Sequence, residues 1–130
     1  MKIAVLGTGR IGAYRADWLR AHAGVDEVLV GSIRAGTVEA ALDARPDGVV
    51  IASATPDHAA QIRACAERGL RMLCEKPIAL TIAETRSALD AAGDTPVRRL
   101  SRPLRPGVRR GAARLARVRA RRACQPLPGK

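Results

Sequence analysis

Residues 5–12 read Val-Leu-Gly-Thr-Gly-Arg-Ile-Gly, and this stretch decides the fold. It overlaps the apolar run 3–6, Ile-Ala-Val-Leu, which is typical of a buried parallel strand. Residues 13–22 follow it and carry Tyr14, Trp18 and Leu19 at helical spacing. A strand, a glycine turn and a helix in this order are the context in which G-x-G-x-x-G binds the pyrophosphate of a dinucleotide.

The three glycines of this stretch have different expected roles. Gly7 permits the tight turn, Gly9 lets a pyrophosphate approach bare backbone, and Gly12 lets the helix pack closely on the strand. The first N–H groups of the helix then present a partial positive charge to the phosphates. The motif predicts dinucleotide binding, and a plain structural turn is the alternative.

Composition limits the kind of protein to which this motif belongs. The chain has 130 residues, enough for one domain, and 47% of them are hydrophobic, with one Trp, one Tyr and no Phe. We find no apolar run of membrane-spanning length and no basic segment ahead of an apolar one, so we expect no signal peptide. The three cysteines lack the spacing of a metal or redox site. This predicts reduced thiols, no metal and a cytoplasmic protein.

The net charge of +11 is unevenly distributed along the chain. Residues 1–97 carry 11 basic and 12 acidic side chains, whereas residues 98–130 carry 12 basic and no acidic ones. We therefore divide the chain into a domain, residues 1–96, and an Arg- and Pro-rich tail, residues 97–130. Residues 111–122 could form a basic helix, but like charges on neighbouring turns oppose it. We expect a mobile, solvated or partly helical tail.

Strand and helix patterns alternate along residues 1–96. After the glycine turn the strand patterns lie at 26–31, 48–52 and 70–74, and the helix patterns lie at 37–44, 56–68 and 81–92. Thr37 is a predicted N-cap, and Thr81 with Glu84 three residues later is a predicted capping box. The alternation predicts an α/β fold, a Rossmann-like parallel sheet with helical crossovers.

Two polar stretches follow strands, at the edge where open parallel sheets bind ligands. One is residues 53–58, Ser-Ala-Thr-Pro-Asp-His, and the other is residues 75–77, Glu-Lys-Pro. A lysine beside a nicotinamide ring can hydrogen-bond a substrate hydroxyl and lower its pKa. In the alternative, Ser53 and Thr55 only cap a helix, His58 is a solvated first-turn residue, and the Glu-Lys pair is solvated surface.

Three motifs in this order resemble the nucleotide-binding domain of the Gfo/Idh/MocA oxidoreductases, especially their inositol 2-dehydrogenase branch. They are Gly-Thr-Gly-Arg-Ile-Gly at 7–12, Ala-Ser-Ala-Thr-Pro-Asp-His at 52–58 and Cys-Glu-Lys-Pro-Ile-Ala at 74–79. The resemblance implies NAD or NADP as cofactor, a polyol or sugar substrate, and Lys76 as the catalytic lysine. The cofactor-binding residues that it implies are Gly7, Thr8, Gly9, Arg10, Ile11, Gly12, Ser53, Ala54, Thr55, Pro56, His58, Glu75 and Lys76.

The sequence departs from this family after the second strand. Roughly 20 residues beyond the glycines, the family has a carboxylate for the ribose hydroxyls, but here residues 31–34 read Gly-Ser-Ile-Arg. One interpretation is NADP preference, with Ser32 as a cofactor-binding residue and Arg34 meeting the 2′-phosphate. The other, which we favour, is a segment lost near residues 31–36, because a helix and a strand normally intervene there. Such a loss would leave the adenosine end of the pocket poorly built.

The tail is the second departure. The family continues with a further strand and a large C-terminal domain that supplies most of the substrate pocket, and residues 97–130 do not resemble these. Read one nucleotide forward, the codons of residues 97–113 permit Phe-Val-Gly-Phe-His-Asp-Arg-Phe-Asp-Pro-Gly-Tyr, which is similar to that strand and turn. We hypothesise that the chain leaves the family's reading frame near Val97, and the gene sequence would test this.

Two functions follow from these observations. The first is an NAD(P)-dependent oxidoreductase of the inositol or sugar dehydrogenase type, present as its nucleotide-binding part and inactive unless a second domain is supplied. The alternative is a polyanion- or nucleic-acid-binding protein that acts through its Arg-rich tail, with an affinity that falls steeply as salt rises. We favour the first, because no aromatic residues interleave the arginines to stack on bases.

Overall fold

Five parallel strands and four helices alternate along residues 1–99, the part of the chain that the computed structural model describes. The elements are β1 (Lys2–Leu6), α1 (Arg10–Arg20), β2 (Glu27–Gly31), α2 (Val38–Asp43), β3 (Gly48–Ile51), α3 (Thr55–Glu67), β4 (Met72–Cys74), α4 (Ile82–Ala92) and β5 (Val97–Arg99). The predicted α/β fold is confirmed, and β5 carries the sheet past residue 96. The expectations for the rest of the tail lie outside the described residues.

The order of the strands is β2-β1-β3-β4-β5, and every neighbouring pair is parallel. Leu6 at the end of β1 lies opposite Gly31 of β2 on one side and Ile51 of β3 on the other. The chain therefore leaves β1 towards β2, and every later strand is added on the opposite side. This reversal is a topological switch point, beside which open parallel sheets bind ligands at the carboxyl ends of their strands.

Each face of the sheet has its own core, because side chains alternate along a strand. Leu6 points to the face that α2, α3 and α4 cover, where it packs with residues such as Leu42 and Ile62. Val5 points to the other face and packs with Ala16 of α1. Helices therefore lie on both faces, as in a doubly wound sheet.

Helix α1 begins at Arg10, three residues earlier than the sequence pattern indicated. Gly9 is its N-cap, so the last glycine of the motif, Gly12, is a buried residue of the first turns. Tyr14 and Trp18 of the same helix are 61% and 54% exposed. The helix packs through small residues because its N-terminal part lies directly against the backbone of the glycine turn.

The two threonines predicted to cap helices behave differently. Thr81 Oγ1 accepts a hydrogen bond from the Glu84 N–H, and Glu84 Oε2 accepts one from the Thr81 N–H, both at 3.1 Å, so the capping box is confirmed. Thr37 occupies the N-cap position of α2, but its Oγ1 accepts from the Ser32 N–H at 2.9 Å instead of from a helix N–H. The Thr37 N–H donates in turn to the Ser32 carbonyl at 3.0 Å. The hydroxyl is therefore used to close the turn 32–37.

The crossover from β2 to β3 consists of this turn and the six-residue α2. Among the described strands, β2 lies at the edge of the sheet. A Cβ on Gly31 would lie 2.8 Å from Leu6 Cδ2 and 3.2 Å from Val38 Cα, so the short crossover packs tightly on the end of β1. The loss of a segment here stays a prediction.

Candidate functional site

The turn between β1 and α1 uses its glycines in two ways. Gly7 has a φ of +121°, and a Cβ there would lie 2.5 Å from the carbonyl oxygen of Ala52. A Cβ on Gly12 would overlap the carbonyl oxygen of Gly7. In contrast, no atom lies within 4 Å of the place where a Cβ on Gly9 would stand. Gly7 and Gly12 allow backbone segments to pack in contact, whereas Gly9 borders open space.

The amino end of α1 faces this open space. The first hydrogen bond of the helix runs from the Ala13 N–H to the Gly9 carbonyl at 2.9 Å. The N–H groups before it have no carbonyl partner within the helix. The first turn contains Arg10 and no acidic side chain. Free amides, the helix dipole and this arginine together favour an anion.

A cleft of about 830 Å³ opens beyond the carboxyl ends of β1, β2, β3 and β4. Of the predicted site residues, those that line it are Gly7, Thr8, Gly9, Arg10, Ile11, Ser32, Ser53, Ala54, Thr55, His58, Glu75 and Lys76. Pro56 instead lines a separate groove of about 430 Å³, whose other walls include α4. Gly12 is buried behind the turn. Thus the structure gathers most of the predicted residues around one cavity.

Three residues that the sequence analysis did not select also line the cleft: Ile33, Ala52 and Asp57. Each is adjacent in sequence to a residue that was selected. Ala52 and Asp57 lie within the motif 52–58, so that motif was the signal that could have found them, whereas the only signal for Ile33 was its position between Ser32 and Arg34.

The β2 end of the cleft is formed by residues 32–34, Ser-Ile-Arg. The Ser32 Oγ accepts a weak hydrogen bond from the Ala35 N–H at 3.4 Å, so its own proton remains available to a ligand. Arg34 is exposed and forms no ion pair within residues 1–99. This end of the cleft therefore offers a hydroxyl and a guanidinium.

Loop 52–54, after β3, is held from behind by α3. The Ser53 hydroxyl donates to Gln61 Oε1 at 2.7 Å. His58 is only 1% exposed, and its ring nitrogens lie 2.9 Å from the Pro77 carbonyl oxygen and 3.1 Å from that of Ser53. The alternative of a solvated first-turn histidine is therefore wrong. The sequence alone could not predict the burial of His58, because its partner, the Pro77 carbonyl, lies in the loop after β4.

The β4 end of the cleft carries the Glu-Lys pair. Glu75 is not solvated surface: its Oε1 accepts hydrogen bonds from Nε and Nη2 of Arg15, at 3.0 and 2.8 Å. Its N–H donates to the Ile51 carbonyl at 2.9 Å. Lys76 is exposed along the cleft wall, and its ammonium has no hydrogen-bond partner within the described range. The anchored glutamate and the free lysine thus have different surroundings.

Two buried cysteines, Cys65 in the last turn of α3 and Cys74 at the end of β4, belong to the core of the sheet. Burial is the main cause that raises the pKa of both Cys65 and Cys74 to about 12. The Cys74 thiol donates to the Glu75 carbonyl at 3.3 Å. Both cysteines are free. Cys65 and Cys74 are therefore core residues in the thiol form, and neither supplies a thiolate nucleophile to the cleft.

The charges around the cleft favour an anionic ligand. Its lining contains three cationic side chains, Arg10, Arg34 and Lys76, and two carboxylates, Asp57 and Glu75. The second carboxylate is already paired with a guanidinium. The remaining excess of positive charge lies between the β2 and β4 ends, where the open space at Gly9 leaves room for phosphates.

A parallel sheet with a switch point, a glycine turn and a cationic cleft defines a dinucleotide-binding domain of the Rossmann type. Residues 32–101, more than half of the chain, match the sequence model of the GFO_IDH_MocA family, described as an oxidoreductase family with an NAD-binding Rossmann fold. The chain belongs to this family, and it corresponds to the family's NAD-binding Rossmann domain.

Curated relatives are sugar and polyol dehydrogenases. Inositol 2-dehydrogenase of Mycolicibacterium smegmatis is 34% identical over 108 residues, which are 69% of this chain and 30% of the relative. D-xylose 1-dehydrogenase (NADP(+)) 2 of Haloferax volcanii is 39% identical over 82 residues, 62% of this chain and 25% of that one. The chain thus spans less than a third of the length of these relatives.

Solved structures show the same fold. A Gfo/Idh/MocA family oxidoreductase from Vibrio cholerae has a TM-score of 0.63 at 20% identity, over 77% of this chain and 38% of that one. An oxidoreductase from Agrobacterium radiobacter, in complex with NAD+, L-tartaric acid and magnesium, has a TM-score of 0.65 at 18% identity, over 76% and 34% of the two chains. At these identities the likeness concerns the fold alone. No helix within residues 1–99 has the length and apolar character needed to cross a membrane.

Proposed function

We propose that this chain is the cofactor-binding part of an NAD(P)-dependent dehydrogenase that acts on a carbinol group of a polyol or sugar, of the inositol dehydrogenase type. The observation that carries the proposal is a single cleft with the open glycine turn at its middle and Lys76 at one end. The names of the two curated relatives support the substrate class.

The order of the strands sets the direction in which a dinucleotide would lie. Neighbouring strands are about 4.8 Å apart, so the ends of β2 and β4, three steps apart, are separated by about 14 Å. The amides beside Gly9 would hold the pyrophosphate, and Ser32 and Arg34 would meet the adenosine ribose. The nicotinamide end would then lie near Lys76, along loop 53–55 and Glu75.

Lys76 would act on the substrate oxygen. The bound nicotinamide supplies or accepts the hydride. The Lys76 ammonium would donate a hydrogen bond to the carbinol or carbonyl oxygen, and its positive charge would favour the alkoxide by lowering the pKa of the hydroxyl. The unpaired, exposed state of this ammonium leaves it available for that role.

Titration of the full chain with NADPH and NADH tests the proposal. Binding would be followed by cofactor fluorescence, by energy transfer from Trp18, the only tryptophan, and by thermal shift. We expect saturable binding that raises the melting temperature, because a ligand that binds only the folded state stabilises it. A folded chain that gives no response at millimolar cofactor would overturn the assignment.

Turnover is a separate question from binding. We expect little oxidation of myo-inositol or D-xylose by this chain alone, because hydride transfer requires a substrate held over the nicotinamide. An assay of the purified chain with each polyol and NAD+ or NADP+ measures this. Appreciable turnover would overturn the expectation of inactivity, and its loss in Lys76→Met with cofactor binding retained would support the lysine's role.

The second candidate, polyanion binding, is favoured by one observation, the excess of 12 basic side chains in residues 98–130. A peptide of residues 100–130 and the full chain would be titrated with duplex DNA at increasing salt. Equal, tight and salt-sensitive binding by both would support this function. Weak binding at physiological salt by both would exclude it.

A further inference from the structure

His58 connects two loops of the cleft. It lies in the first turns of α3 and is 1% exposed. Its Nδ1 is 2.9 Å from the Pro77 carbonyl oxygen, and its Nε2 is 3.1 Å from the Ser53 carbonyl oxygen. Because a carbonyl oxygen only accepts, each contact is a hydrogen bond when that nitrogen carries a proton. A neutral ring carries one of these two protons, so it donates to one of the carbonyl oxygens at a time, and it lies between the loop after β3 and the loop after β4.

We infer that His58 is a positioning residue for Lys76: it holds the Pro77 carbonyl and so fixes the backbone from which the lysine extends along the cleft. The inference rests on the proposed function, in which Lys76 is the catalytic residue and the nicotinamide lies beside it. His58 itself lines the cleft from behind and acts through the neighbouring loop.

The backbone around Lys76 has one anchor on each side. On the upstream side, the Glu75 N–H donates to the Ile51 carbonyl at 2.9 Å, and the Glu75 side chain is paired with Arg15. On the downstream side, the anchor is the contact between His58 and Pro77. A lysine side chain has four flexible carbons, so the placement of its backbone decides which points its ammonium can reach.

The two contacts of His58 are not equally important for this role. Ser53 has a second attachment, because its hydroxyl donates to Gln61 Oε1 at 2.7 Å. The Pro77 carbonyl has no second hydrogen-bond donor among the described residues. Loss of the Nε2 contact should therefore leave the β3 loop in place, whereas loss of the Nδ1 contact should release the segment that follows Lys76.

Two amide variants separate these contacts. The amide nitrogen in His58→Asn stands close to the place of Nδ1 and keeps the bond to Pro77. The longer side chain in His58→Gln brings its amide nitrogen close to the place of Nε2 and keeps the bond to Ser53. His58→Leu keeps neither bond. All three leave Lys76 and every other cleft residue unchanged.

The placement of Lys76 can be read directly because the chain has only three lysines, Lys2, Lys76 and Lys130. Reductive methylation with ¹³C-formaldehyde labels their ammonium groups while keeping the charge. In the unsubstituted chain and in His58→Asn, we expect NADPH to shift the Lys76 signal, with Lys2 as internal control. In His58→Gln and His58→Leu, we expect a much smaller Lys76 shift and NADPH affinity about tenfold lower, the equivalent of one hydrogen bond.

ADP is the matched control ligand, because it lacks the nicotinamide end. Its affinity should be equal in all four proteins, whereas a purely structural role of His58 would change ADP and NADPH binding in parallel. Equal Lys76 shifts in the Asn and Gln variants would overturn the inference. If the unsubstituted chain binds neither NADPH nor ADP, the proposed function itself fails, which is a different outcome.

A measurement on the unsubstituted chain covers the case in which every His58 variant unfolds. The contact with Pro77 predicts a slowly exchanging Nδ1–H in the ¹⁵N spectrum of the His58 ring, and its chemical shift should change when NADPH binds. A folded, NADPH-binding chain without this protected proton would contradict the inference.

Discussion

Arg15 and Glu75 are 60 residues apart in sequence, and their side chains form two hydrogen bonds at the edge of the cleft. Both donors, Nε and Nη2 of the guanidinium, meet the same carboxylate oxygen. The side chains are 30% and 17% exposed, so the pair is partly shielded from water. It joins helix α1, which begins at the glycine turn, to the residue before Lys76.

The coupling energy between Arg15 and Glu75 should be larger than that of an exposed ion pair. We expect a double-mutant cycle of Arg15→Met and Glu75→Gln to give a coupling of about 1 kcal/mol, because the pair is partly buried and shares two hydrogen bonds. The measurement is urea unfolding of the four proteins. Arg20 and Asp17, whose exposed ion pair is 2.9 Å long, provide the control cycle, with an expected coupling of about 0.3 kcal/mol. Equal coupling energies in the two cycles would contradict the inference that the Arg15–Glu75 pair is coupled more strongly than an exposed ion pair.

Substitutions at the glycine turn should separate stability from binding. Gly7→Ala and Gly12→Ala each place a Cβ against backbone, so we expect losses of about 1–3 kcal/mol or more in the free energy of unfolding. Gly9→Ala enters open space and should cost less than about 1 kcal/mol. Because Gly9 borders the proposed pyrophosphate position, the same substitution should weaken NADPH binding at least about tenfold. Unchanged affinity in Gly9→Ala would place the pyrophosphate elsewhere.

Because Ser32 and Arg34 line the β2 end of the cleft, we test the first interpretation of residues 31–34, a preference for NADPH over NADH, against that of a lost segment. Arg34 can donate charge-assisted hydrogen bonds to a 2′-phosphate, which predicts a preference of about tenfold. Arg34→Ala should remove the preference by weakening NADPH binding alone, and Ser32→Asp should reverse it by repelling the phosphate and accepting from a ribose hydroxyl. Fluorescence titration of both cofactors measures each ratio. Equal affinities in the unsubstituted chain would instead favour a poorly built adenosine end.

The two buried thiols predict loss of stability in alkali. The pKa of Cys65 and Cys74 is raised to about 12 by burial, whereas an unfolded cysteine has a pKa of about 8.5. The contribution of each thiol to stability is therefore fully present below about pH 8.5 and is lost progressively as the pH rises towards 12. Urea unfolding at pH 8 and pH 10 tests this, and Cys65→Ala should reduce the difference between them.

Alkylation gives an independent check of the same burial. In a Cys124→Ser background, which removes the cysteine outside the described residues, we expect the folded chain to react with iodoacetamide at pH 8 far more slowly than the urea-unfolded chain. Fast modification of the folded chain would show that these thiols are accessible.

Local sequence determined much of the architecture. The glycine stretch 5–12 predicts a strand, a turn and a helix, because each step depends on neighbouring residues and on glycine's lack of a Cβ. The capping box at Thr81 and Glu84 is equally local. The positions of Lys76 and residues 53–55 at one sheet edge follow from a general property of parallel strands, whose carboxyl ends all meet on the same side.

Only the tertiary structure decided what these side chains contact. His58 is a first-turn residue of α3, and its burial depends on the Pro77 carbonyl of a loop that follows another strand. Glu75 acquires its partner from α1 in the same way. Periodicity indicates which face of its own element a residue occupies, but strand order and helix placement set which distant groups meet that face. For this reason the sequence determined the edge of the sheet at which the cleft lies. The packing of helices on the sheet decided which side chains line the cleft without a protein partner and which form the hydrogen bonds that fix its loops.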